Sequence, residues 1–371
     1  MWIVVLGFMI VGCVSGFILF RKNTLPVCPN SACMSLSGPA SRKISVIIPA
    51  RNEERNLPFL LESLLTQRVP PYEIIVVDDG SEDQTRAIAQ RYGVKAVENS
   101  ALPEGWTGKS WAVWNGYLQA SGDVLVFLDA DIRLQPQAMA SLLHARERSK
   151  GVISVVPFHH TERVYERLAL IMNMLGIFAF TSVFERHNPS KGLYGSCIVA
   201  LREDYERING HASVKSEVLD DLLIGSKFMA AGIPVTNFIG HGVVSFRMYP
   251  GGIRSQIEGF SKGAVLSTAT LKPWTIVPIA IWVVGLLASY AVFFVANTSW
   301  AVPMLTGYVL YTAQLFYFMR YVGRFGFVIP VLHVISSLFF IGVMLYSLYQ
   351  VVVVGHVRWK GRLVRVGGKR E

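Results

Sequence analysis

The chain contains several long apolar segments without a charged side chain, and such segments need a non-aqueous environment. The first covers residues 2–20 and is closed by Arg21 and Lys22. At about 1.5 Å per residue, a helix of this length crosses a hydrocarbon core of roughly 30 Å. A cleaved signal peptide would have a basic start and a shorter apolar run. Residues 1–22 are therefore predicted to form a retained transmembrane anchor.

Three more apolar segments lie near the other end of the chain. Residues 276–296 and 301–319 carry no charge and are separated by a short polar turn, which is typical of a membrane hairpin. Residues 325–354 are too long for one upright span, and Pro330 is expected to divide them into an interfacial piece and a true span. Residues 273–356 are thus predicted to be C-terminal membrane helices, and residues 357–371 a basic tail.

Lysine and arginine near the ends of these segments predict the orientation, because cytoplasmic loops are enriched in both. The relevant side chains are Arg21, Lys22, Arg42, Lys43, Arg320 and Arg324. They predict a multi-pass protein of the cell membrane, with residues 42–272 in the cytoplasm. The same rule conflicts with a single last span, which would export the basic tail. Either the last segment re-enters without crossing, or the tail is an exception.

The composition agrees with a membrane location. Hydrophobic residues make up 52 % of the 371 residues and charged residues only 16 %, against roughly 25 % charged in soluble domains. The net charge of +10 at pH 7 favours contact with anionic lipid headgroups. Nucleic-acid binding is not expected, because no basic stripe is interleaved with aromatic residues. The four cysteines exclude a disulfide framework.

The region from residue 42 to residue 272 alternates short Val- and Ile-rich runs with segments of helical spacing. The runs are residues 44–49, 73–77, 95–97 and 123–128, and the helical segments are residues 57–65, 85–92 and 108–120. This pattern indicates an α/β fold with a mostly parallel sheet covered by helices on both faces. In such sheets, ligands bind beyond the carboxyl ends of the strands.

Acidic side chains follow three of these runs. They are Glu53, Glu54, Asp78, Asp79, Asp129 and Asp131. Taken singly, each pair is consistent with a turn or a helix cap. Three clusters at one edge of a sheet instead indicate a bound cation, because adjacent carboxylates repel each other without one. Oxygen ligands without His or Cys fit Mg²⁺ or Mn²⁺, normally shared with substrate phosphates.

In this order, the motifs PARNEE, VVDDGSEDQT, GKSWA, FLDADIRL and VLDDLLIGSKFMAAG resemble glycosyltransferase family 2. The resemblance covers residues 44–232 and implies the Rossmann-like nucleotide-sugar-binding fold of type A. The anchor and hairpin resemble the membrane branch of the family, which includes ceramide glucosyltransferases. With GWTGKSWA, GHASVKSEVLDD and RMYPGGIRSQIEGFSKG, the chain most resembles the bacterial diaponeurosporenoate (carotenoid-acid) glucosyltransferases of that branch. This implies inverting transfer of a hexose, glucose from UDP-glucose, to a membrane-embedded lipid acceptor.

The resemblance also implies roles for residues at matching positions. Lys109 would face the donor phosphates, Asp129 would contact ribose or sugar, and Asp131 would bind the metal. The other donor-binding residues implied are Pro49, Arg51, Glu53, Val77 and Asp79. These roles agree with the chemistry, because a nucleoside diphosphate leaves readily only if its new charge is neutralised.

Asp220 and Asp221 open a predicted helix further along the chain. From the residues alone, they are an acid pair stabilised by the helix dipole. In the family, an acid at this place is the general base, and the spacing to the helix favours Asp221 as the catalytic residue. Asp220 stands where Glu is commoner.

The acceptor site is predicted from its surroundings. Its candidate residues are Trp106, Gly195, Ser196, His211, Gln256 and Phe260. Many processive relatives carry a Gln-x-x-Arg-Trp motif at this place. Residues 256–260 lack its Arg and Trp, so a polysaccharide synthase is not expected. Arg247, Arg254 or Lys262 could replace the lost charge, although each is equally consistent with a solvated or lipid-facing side chain.

Several alternatives stay open at this point. The acceptor could be a hydroxyl lipid or a polyprenyl phosphate, and a non-enzymatic membrane scaffold could retain nucleotide-sugar binding. Residues 168–184 are uncharged and form either a buried core helix or an interfacial helix at a lipid entrance. The scattered spacing of His159, His160, His211 and His241 offers no metal signature.

Overall fold

A computed structural model describes residues 1–28, 42–99, 101–217, 219–264, 266–359 and 362–365 of the chain. Residues 29–41 and more than half of the predicted basic tail lie outside these ranges. In chain order, the strands are β1 (Ile44–Ala50), β2 (Glu73–Asp78), β3 (Lys95–Glu98), β4 (Val124–Leu128), β5 (Ile132–Leu134), β6 (Val152–Val156), β7 (Phe158–His160), β8 (Cys197–Leu201), β9 (Val235–Ile239), β10 (Val244–Phe246), β11 (Gly323–Arg324), β12 (His356–Trp359) and β13 (Arg362–Arg365).

The helices fall into two groups. One group covers the sheet, and the other forms an apolar bundle. In chain order, they are α1 (Trp2–Leu19), α2 (Leu57–Leu65), α3 (Thr85–Arg91), α4 (Gly108–Leu118), α5 (Ala138–Ser149), α6 (Leu170–Thr181), α7 (Arg202–Arg207), α8 (Asp220–Ala230), α9 (Ile253–Gly263), α10 (Pro273–Ala288), α11 (Ala301–Val322), α12 (Val328–Val331) and α13 (His333–Tyr349).

Seven strands form the main sheet in the order β3-β2-β1-β4-β8-β6-β9. Strands β3, β2, β1 and β4 pair in parallel, and β6 pairs in parallel with β9. Strand β8 is antiparallel to both of its neighbours. The central strands are buried on both faces, which explains their near-continuous Val and Ile runs. The predicted α/β fold with a mostly parallel sheet is confirmed.

A second sheet of four short strands, in the order β11-β7-β10-β5, lies beside the first. The sequence did not predict it, because runs of two or three residues are too short to show a period. Residues 23–25 also belong to the domain, since Thr24 bridges to Ile239 and the Leu25 amide donates to the Ile239 carbonyl at 2.8 Å. The globular part therefore includes residues before the predicted start at 42.

Among the residues that the structure describes, four helical segments are long and apolar enough to cross a membrane. They are Trp2–Leu19, Tyr165–Glu185, Pro273–Phe294 and His333–Val354. The second arm of the predicted hairpin, α11, has 22 residues but is not among the four, because its tyrosines, threonines and Gln314 lower its hydropathy. Helices α1 and α10 pack closely, since a Cβ at Gly12 would lie 2.9 Å from the Gly285 Cα.

Helix α6 lies between the α/β domain and the apolar helices. The Phe178 ring lies 5.2 Å from Trp282 and 5.7 Å from Phe318, and Ile171 and Met174 are buried. Half of the apolar segment around α6 is buried inside the protein. The segment thus combines features of both predicted alternatives, because it is partly core and partly next to the apolar bundle.

The segment after α11 returns to the α/β domain. At its start, Arg324 pairs with His160 of β7, and the Phe325 ring lies 5.5 Å from His159. At its end, the Ser347 hydroxyl donates to the Ser261 carbonyl of α9 at 2.7 Å. The division predicted at Pro330 falls slightly later, because this proline lies inside α12, which ends at Val331, and α13 begins at His333.

Candidate active site

A cavity of about 620 Å³ opens where the carboxyl ends of β1 and β4 meet the start of α4 and one face of α9. It brings together most of the residues predicted from the nucleotide motifs. The predicted residues in its wall are Pro49, Arg51, Glu53, Asp79, Lys109, Asp129, Asp131, Ser196 and Asp220. Because β1 and β4 are parallel neighbours, the loops that follow them share one edge of the sheet.

The loop after β1 is held against the loop after β2. The Arg51 guanidinium donates to the Asp79 carbonyl at 3.0 Å, and the Asn99 amide donates to the Asp79 carboxylate at 2.9 Å. Asn56 donates to Glu53 at 2.9 Å. These contacts fix Asp79 at the cavity wall, where a carboxylate can accept hydrogen bonds from a ribose or a base.

Lys109 lies between two carboxylates at the start of α4. Its Nζ is 3.1 Å from Asp129 Oδ1 and 3.3 Å from Asp221 Oδ2. Burial alone would lower the pKa of Lys109, but Asp129 and Asp221 outweigh burial and hold this pKa well above its ordinary value. The Thr107 side chain caps α4 by accepting from the Ser110 amide, so the first turn that carries the lysine is fixed. A fixed, fully charged lysine suits a phosphate group.

Asp129 and Asp131 occupy the turn that follows β4. The Asp129 amide donates to the Ser196 carbonyl at 3.0 Å, and the Arg247 amide donates to the Asp131 carbonyl at 3.1 Å. The turn is thus braced from two sides, with both carboxylates at the cavity. Two carboxylates on a braced turn form a donor set that fits a hard divalent cation such as Mg²⁺ or Mn²⁺.

Asp220 and Asp221 have different surroundings at the start of α8. Asp220 is buried and accepts a hydrogen bond from the Ser110 hydroxyl at 3.1 Å. Asp221 is 22 % exposed and pairs with Lys109, which lines the cavity. Burial raises the pKa of Asp221, Asp220 raises it further, and Lys109 opposes both. This partly exposed carboxylate with a raised pKa has the features of a general base.

His211 lies behind this acid pair rather than at the cavity. It shares a hydrogen bond with the Tyr205 hydroxyl at 2.7 Å, and burial lowers its pKa to about 4. His211, Asp220 and Asp221 offer ligand atoms within 4.8 Å of one another, a grouping close enough for a metal that the spacing along the sequence did not reveal. The Tyr205 hydroxyl already bonds to His211 and the Ser110 hydroxyl to Asp220, and both residues are buried. The turn after β4, whose two carboxylates lie at the cavity, therefore fits a cation better.

Several predicted residues do not line the cavity. They are Val77, Trp106, Gly195, His211, Asp221, Gln256 and Phe260, of which Asp221 reaches the wall only through its contact with Lys109. Val77 is fully buried in β2, and Trp106 packs on Trp111 with ring centres 5.1 Å apart. Gly195 contacts the site indirectly, because a Cβ there would lie 1.8 Å from Asp221 Oδ2.

Gln256 and Phe260 face away from the cavity, on the other side of α9. Gln256 is buried and donates to the Glu166 carbonyl at 3.4 Å. Phe260 contacts Tyr249 with ring centres 5.3 Å apart and packs against the apolar cluster. Tyr249, which the sequence did not single out, lines the cavity instead.

The three cations considered as replacements for the missing arginine differ in position. Arg247 is bound by Glu166 at 2.9 Å and by Glu162, so it braces the protein. Arg254 is 84 % exposed. Lys262 lines the cavity.

Comparisons with known proteins give the family of the chain. The model for glycosyl transferase family 2 matches residues 45–208. A 4,4'-diaponeurosporenoate glycosyltransferase of Staphylococcus haemolyticus (strain JCSC1435) is 34 % identical over 360 residues, which cover 94 % of each chain. The protein of the same name from Staphylococcus aureus (strain MRSA252) is 32 % identical over 330 residues, 86 % of this chain and 88 % of the relative.

The chain belongs to glycosyltransferase family 2. The predicted family and the predicted enzyme class, a glycosyltransferase, are thereby confirmed. Among solved structures, the mannosyltransferase PcManGT from Pyrobaculum calidifontis, in complex with GDP-Man and Mn²⁺, superposes with a TM-score of 0.57 at 16 % identity. The superposition covers 94 % of this chain and 98 % of the mannosyltransferase, which supports the type A fold.

Proposed function

We propose that this glycosyltransferase transfers glucose from UDP-glucose to a carotenoid acid held in the membrane, with inversion at the anomeric carbon. The observation that carries the proposal is the position of Lys109. It lies between Asp129 and Asp221 in a cavity whose opposite wall, α9, packs against apolar helices. The names of the relatives, 4,4'-diaponeurosporenoate glycosyltransferases, support the acceptor class.

The donor binds along the edge of the sheet in this proposal. Asp79 and Arg51 hold the nucleoside, and Lys109 faces the diphosphate. Asp131, with Asp129 beside it, holds a divalent cation, Mg²⁺ or Mn²⁺. Such a cation neutralises part of the charge on the diphosphate. The PcManGT complex, which contains Mn²⁺, is consistent with this assignment.

The transfer step follows from the charges of the site. A carboxylate oxygen of the acceptor attacks the anomeric carbon on the face opposite the diphosphate. The bond from this carbon to the diphosphate oxygen breaks, and a glucosyl ester of inverted configuration forms. Lys109 stabilises the negative charge on the departing diphosphate. A carboxylic acid with a pKa of about 4 is already ionised at neutral pH, so Asp221 orients the donor rather than removing a proton.

We also infer that the catalytic domain faces the cytoplasm. Helices α1, α10 and α11 then cross the membrane, and the segment from α12 to α13 re-enters without crossing. Both ends of this segment contact the catalytic domain, through Arg324 and Ser347. Re-entry keeps the basic tail on the cytoplasmic side and removes the conflict with the distribution of Lys and Arg.

The proposal is tested with purified protein, vesicles that contain a C30 carotenoid acid, and labelled UDP-glucose. We expect a labelled pigment that mild alkali cleaves, because alkali hydrolyses a glucosyl ester but not a glycoside. Asp131→Asn is expected to lower the rate at least a hundredfold, with added Mn²⁺ restoring only part of it. Glu104→Gln, at an exposed glutamate outside the cavity wall, is the control. Undiminished transfer by Asp131→Asn would overturn the metal assignment.

A hydroxyl lipid is the second candidate acceptor, and the raised pKa of Asp221 favours it. A hydroxyl group must lose its proton to attack, and a partly exposed carboxylate beside the cavity could accept it. In the same assay, this function would give an alkali-stable product from an alcohol acceptor and none from the acid. A phosphate-bearing product would instead indicate a polyprenyl-phosphate glycosyltransferase.

A further inference from the structure

Helix α9 separates the cavity from the apolar helices. One face lines the cavity through Ser255, Glu258, Gly259 and Lys262, which follow helical spacing. The other face points to the apolar part of the protein. There, Phe260 packs in the apolar cluster, and the Ser261 carbonyl accepts the hydroxyl of Ser347 from α13. An acceptor whose tail lies in the membrane must approach this wall.

The cations of the cavity occupy different sides. Arg51 and Arg55 belong to the loop after β1, and Arg51 is bonded to the Asp79 carbonyl. Lys109 belongs to α4 and is paired with two carboxylates. Of the described residues that α9 places in the cavity wall, the one with a basic side chain is Lys262. It therefore stands on the side nearest the apolar helices.

The charges around Lys262 define what it can bind. Burial lowers its pKa most and Lys109 lowers it further, while Asp220, Asp221 and Asp129 act in the opposite direction. The same carboxylates repel any anionic acceptor that enters the cavity. A carboxylate head can approach only if a cation offsets this repulsion, whereas an alcohol head has no such need.

We propose that Lys262 binds the ionised carboxylate of the acceptor and makes the site selective for acids over alcohols. This inference rests on the proposed function, because it assumes that the acceptor is a lipid-soluble acid. It assigns the nucleotide end of the cavity to Arg51 and Lys109 and the acceptor end to Lys262. The acceptor tail then extends past α9 towards α13.

Binding tests the proposal without turnover. Carotenoids quench tryptophan fluorescence, so a C30 carotenoid acid and the corresponding carotenoid alcohol can each be titrated into the protein in vesicles. We expect wild type to bind the acid roughly tenfold or more tightly than the alcohol, since a charge-assisted hydrogen bond has this strength. Lys262→Met is expected to lose this preference, and Lys262→Arg to keep most of it. Lys227→Met, an exposed lysine on α8, is the control.

Steady-state kinetics separate the acceptor from the donor. For Lys262→Met, we expect a KM for the acid that rises roughly tenfold or more, with the KM for UDP-glucose and acceptor-free hydrolysis within about twofold of wild type. A higher KM for UDP-glucose with slower hydrolysis would show that Lys262 acts on the diphosphate and would overturn the proposal. Equal binding of acid and alcohol by wild type would also overturn it. Lys262-dependent binding of the acid without ester formation would refute the proposed function alone.

Discussion

At the level of single residues, Asp221 shows how the acceptor determines what a carboxylate must do. Its raised pKa and its contact with Lys109 fit a base, but an acidic acceptor needs none. For Asp221→Asn, we therefore expect transfer to a carotenoid acid to stay within about tenfold of wild type, and transfer to an alcohol to fall a hundredfold or more. Both rates are measured as kcat/KM in vesicles, with Glu104→Gln, at an exposed glutamate outside the cavity wall, as the control. A large loss with the acid, at unchanged KM for UDP-glucose, would contradict the assignment.

The pH dependence gives a second readout of the same residue. Because the pKa of Asp221 is raised, its carboxyl group stays protonated to a higher pH than an ordinary aspartate. A reaction that needs the base gains rate as the pH rises through this pKa, and the gain should vanish in Asp221→Asn. Transfer to a carotenoid acid should instead show no such rise above the pKa of the acid, at about 4. A steep rise with the acid acceptor would argue for base catalysis.

Site residues in charged motifs just after predicted strands could be recognised from the sequence. Asp129 and Asp131 could be placed at the sheet edge because they follow a strand, whereas their proposed roles and that of Lys109 came from the resemblance to the family. Val77 and His211 could not be placed in the same way, since burial decides which way a side chain faces. Val77 lies in the core of the sheet, while its neighbour Asp79 reaches the cavity. The sequence shows that Lys262 is a basic residue, but only the fold shows that it lines the cavity.

At the level of secondary-structure elements, the position of Lys109 depends on how closely α4 packs against the sheet. Gly116 of α4 makes this approach possible, because a Cβ there would lie 2.6 Å from Ile47 Cγ2 and 3.0 Å from Val77 Cγ2. A larger residue would push the helix outward and carry Lys109 with it. The helix itself was predicted from its spacing, whereas its distance from the sheet depends on contacts far apart in the sequence.

We expect Gly116→Val to destabilise the protein by about 1–3 kcal/mol, which is typical of overpacking, and to raise the KM for UDP-glucose. Thermal unfolding in detergent and donor kinetics measure the two effects. The control is Gly176→Val, because a Cβ at this helical glycine of α6 meets nothing within 4 Å. If both variants behaved alike, close packing of α4 would not be what positions Lys109.

At the level of the whole molecule, the apolar helices pack against the α/β domain. The sequence located the segments well, but it left the course of residues 325–354 open, because length and hydropathy do not distinguish a crossing from a re-entry. The contacts of its two ends support the proposed re-entry, since Arg324 pairs with β7 and Ser347 bonds to α9. A crossing helix would need its two ends on opposite sides of the membrane. The contacts therefore favour three crossings and one re-entrant segment.

Reporter fusions test this topology. Alkaline phosphatase is active only outside the cytoplasm, and green fluorescent protein exported in unfolded form does not fluoresce. With phosphatase, we expect activity after residue 299, between α10 and α11, and none after residue 326 or residue 371. With the fluorescent protein, we expect the reverse pattern. Active phosphatase at the end of the full chain, with fluorescence lost there, would show that α13 crosses the membrane. The fusion after residue 326 is the matched control, because it ends on the same side before the segment in question begins.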